Sequence, residues 1–277
     1  MNLIITGAKG QLGSELTLLA RQAGLEVRAY SSQEWDITNP AAAPDLSDTD
    51  FLINCAAYTA VDRAEDEPEK AFAINSQAVA HLAKLCKAHD VPLIHISTDY
   101  VFDGVQKQAY QETDFPHPLS VYGASKLQGE ESLRAIWDKH IILRISWVFS
   151  RFGTNFVKTI LRLSKERPEL KIVADQHGAP TAAAHVAQVI LNLIRHPALT
   201  SNWGLYHYTD QPLTTWCDFA RSFINPEQCK ILPISTAEYP TKAKRPQNSA
   251  LNCEKIKQVF GITQQPWQEA LTEIVTP

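Results

Sequence analysis

The sequence has no C-x-x-C pair, no excess of basic residues, and no apolar run approaching the ~20 residues that a membrane-spanning helix needs. Each absence removes a class of protein. The five cysteines (Cys55, Cys86, Cys217, Cys229 and Cys253) are odd in number and widely scattered, which excludes zinc ribbons and disulfide scaffolds and makes a reducing cytoplasm the expected setting. Lys and Arg total 26 against 30 Asp and Glu, a net charge of −4, so no phosphate-tracking surface for nucleic acid is expected. The first residues carry no basic region and meet Gly7 at once, so they do not read as a signal peptide. Internal repeats and low-complexity tracts are also absent. Neither a membrane nor a nucleic acid is an expected partner.

What remains is ordinary globular composition, 44% hydrophobic and 20% charged over 277 residues, enough for one large domain or two small ones. The first half alternates. Residues 2–6, 26–30, 51–54, 91–97 and 141–145 are short apolar runs that predict strands. Between them, residues 11–23 carry Leu12, Leu16, Leu19, Ala20 and Ala23 at helical spacing, and residues 68–86 and 121–137 also predict helices. Pro68 suits a first helical turn. Strands alternating with helices across short loops predict an α/β fold with a Rossmann-type doubly wound parallel sheet. The second half is less regular. Helices are expected over 155–165, 182–194 and 216–223, the last capped by the hydroxyls of Thr214 or Thr215, and strands over 170–174 and 205–208. From residue 228 onward Pro233, Pro240, Pro246 and Pro266 predict loops and short elements. A smaller α/β C-terminal lobe follows from this change of pattern.

Gly7, Gly10 and Gly13 form G-x-x-G-x-x-G after a strand and at the opening of a helix. Glycine there permits a tight turn and close approach of the backbone to a pyrophosphate, which would rest against the free N–H groups of the helix start. The strand before and the helix after supply the context that a lone glycine motif lacks. The expected division is therefore a dinucleotide-binding domain over 1–147, with 182–210 returning to it, and a substrate lobe made of 148–181 and 211–277. An acid commonly ends the second strand of such a domain to hold the adenosine ribose. Here the residues are Arg28-Ala29-Tyr30-Ser31-Ser32, with no acid. Arg28 and the serines could accept a 2′-phosphate, so NADPH is expected to be accepted alongside NADH; Arg28 could equally be a solvated strand residue. Asp36 and Ile37 are a second candidate contact, at the adenine, although Asp36 also suits a turn that caps Thr38-Asn39-Pro40.

Tyr122 and Lys126 form Tyr-x-x-x-Lys inside a helix, so phenol and ammonium share one face. A neighbouring cation favours phenolate and would lower the tyrosine's pKa from ~10, which makes it usable as an acid or base near neutrality. Just past the buried strand ending near residue 97 come Thr98 and Asp99. Ligands of open parallel sheets bind beyond the carboxyl ends of strands, so this hydroxyl and acid are placed to hold a polar substrate; turn capping is the competing role. The Asp103-Gly104 pair is a turn.

With these features together, the sequence resembles the extended short-chain dehydrogenase/reductases. More narrowly, the stretches 7–13, 54–62, 97–104, 121–130, 144–149, 175–181 and 245–251 resemble the dTDP-4-dehydrorhamnose reductase family over nearly the whole chain. The resemblance implies reduction of the 4-keto group of dTDP-4-dehydro-β-L-rhamnose to dTDP-β-L-rhamnose. It implies that Tyr122 gives the proton to the nascent C4 alkoxide, that Lys126 bonds the nicotinamide ribose, that Thr98 polarises the carbonyl, and that Asp99 touches the sugar. Gly10, Gln11, Leu12, Asp36, Ile37 and the run Ala56, Ala57, Tyr58, Thr59 would line the dinucleotide. Trp147 would pack on the sugar, unless it is a core tryptophan. A dTDP-sugar brings its own diphosphate, and Arg245, in a loop and fixed by the following proline, is the candidate fork for it. Lys242 and Lys244 beside it are expected to be solvated.

Two departures stand out. Lys9 replaces the asparagine usual in the family's glycine turn, which adds a charge near the pyrophosphate. Some members of the family dimerise around Mg²⁺ held by three glutamates, and the matching positions here are Glu15, Ala184 and Glu254. With alanine in the middle, no metal site is expected, Glu15 and Glu254 read as helix-surface charges, and the protein is expected to be a monomer or weak homodimer. Two alternatives stay open: a sister reductase that forms a dTDP-6-deoxyhexose of other stereochemistry, and a non-catalytic nucleotide-binding subunit of the kind associated with methionine adenosyltransferase.

Overall fold

A computed structural model describes residues 1–275. The elements in chain order are β1 (Asn2–Thr6), α1 (Gln11–Gln22), β2 (Glu26–Tyr30), β3 (Phe51–Asn54), α2 (Val61–Ala64), α3 (Pro68–Phe72), α4 (Ala78–Ala88), β4 (Leu93–Thr98), α5 (Val121–Ile136), β5 (His140–Ile145), β6 (Val148–Phe149), α6 (Phe156–Glu166), β7 (Glu169–Val173), β8 (His177–Gly178), β9 (Thr181–Ala182), α7 (Ala183–Arg195), β10 (Gly204–His207), β11 (Thr214–Thr215), α8 (Trp216–Arg221), β12 (Lys230–Ile234), α9 (Glu254–Phe260) and α10 (Trp267–Val275).

Six parallel strands run in the order β10-β5-β4-β3-β1-β2. The central strands β1, β3, β4 and β5 are apolar through most of their length because helices cover both faces, whereas the edge strand β2 exposes Glu26 and Arg28. Leu3 and Ile5 point to the face packed by Leu16 and Ala20 of α1 and by Val186 and Ile190 of α7. Ile4, Leu52, Leu93 and Ile142 point the other way, onto Val79, Leu82 and Cys86 of α4 and Leu133 of α5. The chain leaves β1 for β2 on one side and returns to β3 on the other, so the strand order reverses at β1, where a crevice opens. Helices α3 and α4 are one run broken by a π-turn over Ala73–Gln77, which turns Asn75 inward; Pro68 sits in the first turn of α3.

The lobe holds smaller sheets. β7 pairs in parallel with β12, a strand that the proline-rich sequence did not suggest. Pro233 is tolerated there because β12 has a neighbour on one side only, so the missing N–H can face away from the ladder. Phe149, Phe219, Trp267 and Leu271 form one lobe core, and Ile160, Leu170, Ile172 and Ile224 form another. Thr215 is the residue that caps α8, accepting from the Asp218 N–H. α7 and β10 join the six-stranded sheet and its core. So does part of the tail: Ile256 and Phe260 of α9 pack in the same core, with Phe260 against Tyr206 at 5.1 Å, so the 211–277 segment is not all lobe. Among the described residues no helix is long and apolar enough to cross a membrane.

Candidate active site

The carboxyl ends of β1, β3, β4 and β5 open onto one cleft of about 1190 Å³ between the sheet and the lobe. Gly7, Gly10, Gln11, Leu12, Asp36 and Ile37 line one part of it, and Ala56, Ala57, Tyr58 and Thr59 a second. Thr98, Asp99, Tyr122 and Lys126 stand at its centre, with Trp147 and Arg245 on the lobe side. Gly13 lies behind the turn, inside α1.

The glycine turn is shaped by contact. Gly7 has φ +68°, and a Cβ on it would lie 2.7 Å from the backbone nitrogen of Ala56, so only glycine lets β1 and the loop after β3 close together here. That loop is fixed from below by Asn75: its Oδ1 accepts the Tyr58 N–H at 2.8 Å, and its Nδ2 donates to the Tyr58 carbonyl and to Ser125 Oγ, each at 3.0 Å. The inward π-turn therefore sets the cleft wall. Asp36 does what its turn demands, accepting from the Thr38 N–H and hydroxyl, while still lining the cleft.

Ser120 caps α5 by accepting from the Gly123 N–H, which places Tyr122 and Lys126 on the first turns beneath β4. Tyr122 meets Tyr100 edge-on at 5.6 Å and faces the Thr98 hydroxyl. Burial pushes its phenol up to about 12, with Thr98 pulling weakly the other way. The expected lowering by Lys126 is thus overturned: the lysine is 2% exposed and bonds Ile96 O at 2.7 Å and His95 Nε2 at 3.2 Å instead of the phenol. Burial draws Lys126 itself down to about 8. Thr98 takes the turn-capping role, accepting from the Tyr100 N–H, and donates to Asp99 Oδ1 at 3.0 Å while lining the cleft. Burial raises the Asp99 carboxyl to about 6, against the opposing pull of the Ser249 and Thr98 hydroxyls.

On the lobe side, Trp147 has φ +47°, a strained backbone for a bulky residue, which turns its ring out of the strand direction and into the cleft. The ring stacks on Trp216 at 3.6 Å and 10°, and Gly178 lies so close to it that a Cβ there would come within 2.5 Å. It is a cleft wall, half-buried, and not a core residue. Arg245 forks onto Asp62 at 2.6 and 3.1 Å and lines the cleft; Lys242 pairs with Asp66 on the surface.

Several site residues escaped the sequence reading. Trp216 and Phe156 enter the cleft from the lobe, with no motif to mark them. Arg28 is turned away: it donates to the Asp45 carbonyl and Thr49 Oγ1 beneath the sheet edge and does not line the cleft. Ser31 is engaged with Glu34. The cation at the end of β2 is Lys9, whose Nζ reaches Gln33 Oε1 at 3.2 Å beside Ser32, all lining the cleft. Glu15 is also not a surface charge. It is 2% exposed and accepts from Ser150 Oγ and Arg151, tying α1 to the loop after β6; Glu254 does lie at the surface, beside Lys257. Among the described residues no group of three or more His, Cys, Asp or Glu side chains is placed to hold a metal.

A doubly wound sheet with a glycine turn at its reversal point and a Tyr-x-x-x-Lys helix across the cleft defines an oxidoreductase of the extended short-chain dehydrogenase/reductase class. Comparison with known proteins narrows the class. The model of the RmlD substrate binding domain matches residues 1–277. A dTDP-4-dehydrorhamnose reductase of Aggregatibacter actinomycetemcomitans is 44% identical, over 98% of this chain and 97% of that protein, and one of Sinorhizobium fredii is 40% identical over 99% and 97%. The crystal structure of a dTDP-4-dehydrorhamnose reductase from Clostridium acetobutylicum superposes with a TM-score of 0.92 at 36% identity, covering 99% of this chain and 98% of that one. That of Bacillus anthracis, solved in complex with NADP, gives 0.90 at 36% identity and the same coverage. The chain belongs to the dTDP-4-dehydrorhamnose reductase family.

Proposed function

We propose that the protein reduces the C4 ketone of dTDP-4-dehydro-β-L-rhamnose with NADPH or NADH, giving dTDP-β-L-rhamnose. The observation that carries this reading is the meeting of Tyr122, Thr98 and Lys126 in one cleft with the glycine turn. The dinucleotide fits the residues present: glycine at position 7 lets the turn close against the Ala56 backbone, and no side chain caps the start of α1, whose free N–H groups are left for a pyrophosphate. Gly7, Gly10, Gln11 and Leu12 would hold the pyrophosphate; Asp36 and Ile37 the adenosine; Ala56, Ala57, Tyr58 and Thr59 the middle of the molecule; and Lys126 with Tyr122 the nicotinamide ribose. Lys9 and Ser32 take the place first given to Arg28, beside a 2′-phosphate. When bound, the reduced nicotinamide supplies the hydride for C4.

The side chains supply the rest. Tyr122 donates toward the ketone oxygen, and Thr98, whose hydroxyl proton rests on Asp99 without substrate, turns it to the same oxygen when the sugar binds, so the two polarise the ketone and orient the sugar. Tyr122, protonated at neutral pH because it is buried, gives its proton to the C4 oxygen as charge develops there. Asp99 accepts from a sugar hydroxyl, and the Trp147–Trp216 stack offers an apolar wall to the ring. Arg245 binds the dTDP diphosphate. The dinucleotide is assigned to 1–147 with 182–210, and the sugar nucleotide to 148–181 and 211–277 without α9. The five cysteines are all free thiols, which fits a cytoplasmic enzyme, and the alanine at position 184, in the middle of the family's three-glutamate metal set, supports a monomer or weak homodimer.

The test is turnover of dTDP-4-dehydro-β-L-rhamnose with each nicotinamide, followed by NMR of the product. The expected result is dTDP-β-L-rhamnose. A product epimeric at C4 would replace the reading by that of the sister reductase, and tight nucleotide binding without turnover by that of a regulatory subunit.

A further inference from the structure

Three neighbouring strands carry one polar residue each in the same row of the sheet. Thr6 on β1 is in register with Asn54 on β3, and Asn54 with His95 on β4. All three are at most 1% exposed, on the sheet face that α5 covers, and none is needed to line the cleft. The row ends on Lys126.

The hydrogen bonds along the row have a fixed direction. Asn54 Oδ1 accepts from Thr6 Oγ1 at 2.6 Å and from the Ala56 N–H at 3.2 Å. A backbone N–H can only donate, so the amide oxygen must face it and the amide nitrogen must face the other way. That nitrogen, Nδ2, lies 3.0 Å from His95 Nδ1 and donates to it. His95 Nδ1 is therefore an acceptor. The neutral ring carries its proton on Nε2, and Nε2 lies 3.2 Å from Lys126 Nζ. Lys126 in turn donates to the Ile96 carbonyl at 2.7 Å.

A neutral imidazole has one accepting nitrogen, and Asn54 occupies it. An ammonium at Lys126 would point a donor at a donor, and exchanging the tautomer would only move the conflict to Asn54. An amine at Lys126 resolves it by accepting from His95 Nε2–H while donating to Ile96. We propose that His95, set by Thr6 and Asn54, is a positioning residue that presents an N–H to Lys126 and biases the lysine toward its amine form in the enzyme without cofactor.

The other groups facing this pair do not supply an alternative acceptor. Glu130, one turn along α5, favours the ammonium, but its oxygens are taken by Arg144 and Ser97. The Cys55 thiol, from the end of β3, faces Lys126 and is held neutral by burial. His140 on β5 faces His95 and, with Lys126, disfavours a charged ring, which is held well below its usual titration range chiefly by burial. Tyr122, four residues before Lys126, stays a phenol. The consequence rests on the proposed role of Lys126 beside Tyr122: the lysine that supports the proton donor would change charge in the mildly alkaline range, well below that of an ordinary lysine.

Two measurements on the whole protein test this. The first is ¹⁵N NMR of the imidazole nitrogens without substrate or cofactor, together with ¹³Cε titration of Lys126. His95 is expected to be neutral, protonated on Nε2 and bare on Nδ1, and Lys126 to titrate well below a surface lysine. A proton on His95 Nδ1, or a lysine that titrates normally, overturns the proposal. Neither reading involves the sugar, so both stand apart from the substrate assignment. The second is the pH profile of kcat/KM in the wild type, His95→Gln and His95→Asn. Glutamine can turn an oxygen to the lysine, and asparagine keeps the Asn54 bond while withdrawing the N–H. In both, the alkaline limb assigned to Lys126 is expected to move up by about one pH unit or more. A limb that stays in place while kcat falls would show that His95 only packs, and would overturn the proposal.

Discussion

Arg245→Ala separates the two halves of the cleft most directly. Arg245 belongs to the lobe-side chain but forks onto Asp62, at the start of α2 in the first domain, and its side chain is 22% exposed in the cleft. Removing it leaves Asp62 with the Ala243 N–H at 3.1 Å and 42% side-chain exposure, so the carboxylate can take up water in place of the guanidinium. A partly exposed pair of this kind contributes at most about 1 kcal/mol, and the melting temperature is expected to fall by only a few degrees. Binding behaves differently. A charge-assisted bond from a guanidinium to a phosphate oxygen contributes about 1.5–3 kcal/mol, which corresponds to a KM for the dTDP-sugar raised roughly 10- to 150-fold. The diphosphate is remote from C4 and is held alike in ground and transition states, so kcat should change little. Steady-state kinetics with the sugar nucleotide varied, and fluorescence titration of NADPH, measure both terms. An unaltered KM would place the diphosphate elsewhere in the lobe. A parallel loss of NADPH affinity would show that Arg245 serves the dinucleotide instead.

Tyr122→Phe keeps the ring and removes the proton, so kcat should fall by about 10²–10⁴ with NADPH binding intact; near-normal kcat would refute the assigned acid. Lys9→Ala should lower kcat/KM with NADPH by up to about tenfold and leave NADH unaffected, since only the former has a 2′-phosphate for the exposed lysine to meet; equal effects on both would place Lys9 at the pyrophosphate. Glu130→Leu strands Arg144, which is 1% exposed and bound by both carboxylate oxygens, and urea unfolding should register a loss of about 3–5 kcal/mol; a loss under about 1 kcal/mol would show that water reaches the guanidinium. Asp99 is raised from 3.8 to about 6, so between those values the folded state holds more protons than the unfolded one and stability falls as pH rises through that window. Asp99→Asn should flatten that part of the pH–stability curve, and identical curves for the two proteins would refute the burial cost.

The sheet and its helices were readable because each strand is a short apolar run between turn residues and each helix repeats its apolar side chains on one face. The elements that failed were governed by neighbours. Pro233 argued for loop, yet an edge strand tolerates it; Arg28, open between a 2′-phosphate contact and a solvated strand residue, is the exposed strand residue, held by Asp45 and Thr49 of the 31–50 connection. Glu15 is spaced as a surface residue of α1, and only the return of Ser150 and Arg151 buries it. The glycine turn and Tyr-x-x-x-Lys were visible because the features that bring these residues into the cleft are set by local spacing. Trp216 was not, because it meets Trp147 only through the pairing of β11, just before α8, with β8, a non-local contact that local spacing does not carry. One signal did exist for the buried row: Thr6 and Asn54 end the apolar runs of β1 and β3, and His95 stands between Ile94 and Ile96 inside β4, where an unpaired polar group would be costly.

The spacing rule named Tyr122 and Lys126 correctly as a pair on one face but gave the wrong sign for the phenol, and the reason lies in what spacing leaves out. A cation lowers a phenol only as far as its field outweighs the loss of water around the phenolate. Lys126 passes under β4 to the Ile96 carbonyl and to His95, so its field is spent on β4, while the lobe and Tyr100 dry the phenol. Burial therefore dominates both groups and drives each toward its neutral form, the tyrosine up to about 12 and the lysine down to about 8. For a reduction, this is the useful state. The proposed step requires a proton on the tyrosine at the moment the C4 oxygen gains charge, and a phenol raised to about 12 keeps that proton through the neutral and mildly alkaline range. The same burial that keeps the proton on Tyr122 also makes the phenol a weaker acid, so in the proposed reaction the transfer depends on the hydride reaching C4 and making its oxygen far more basic than the phenolate.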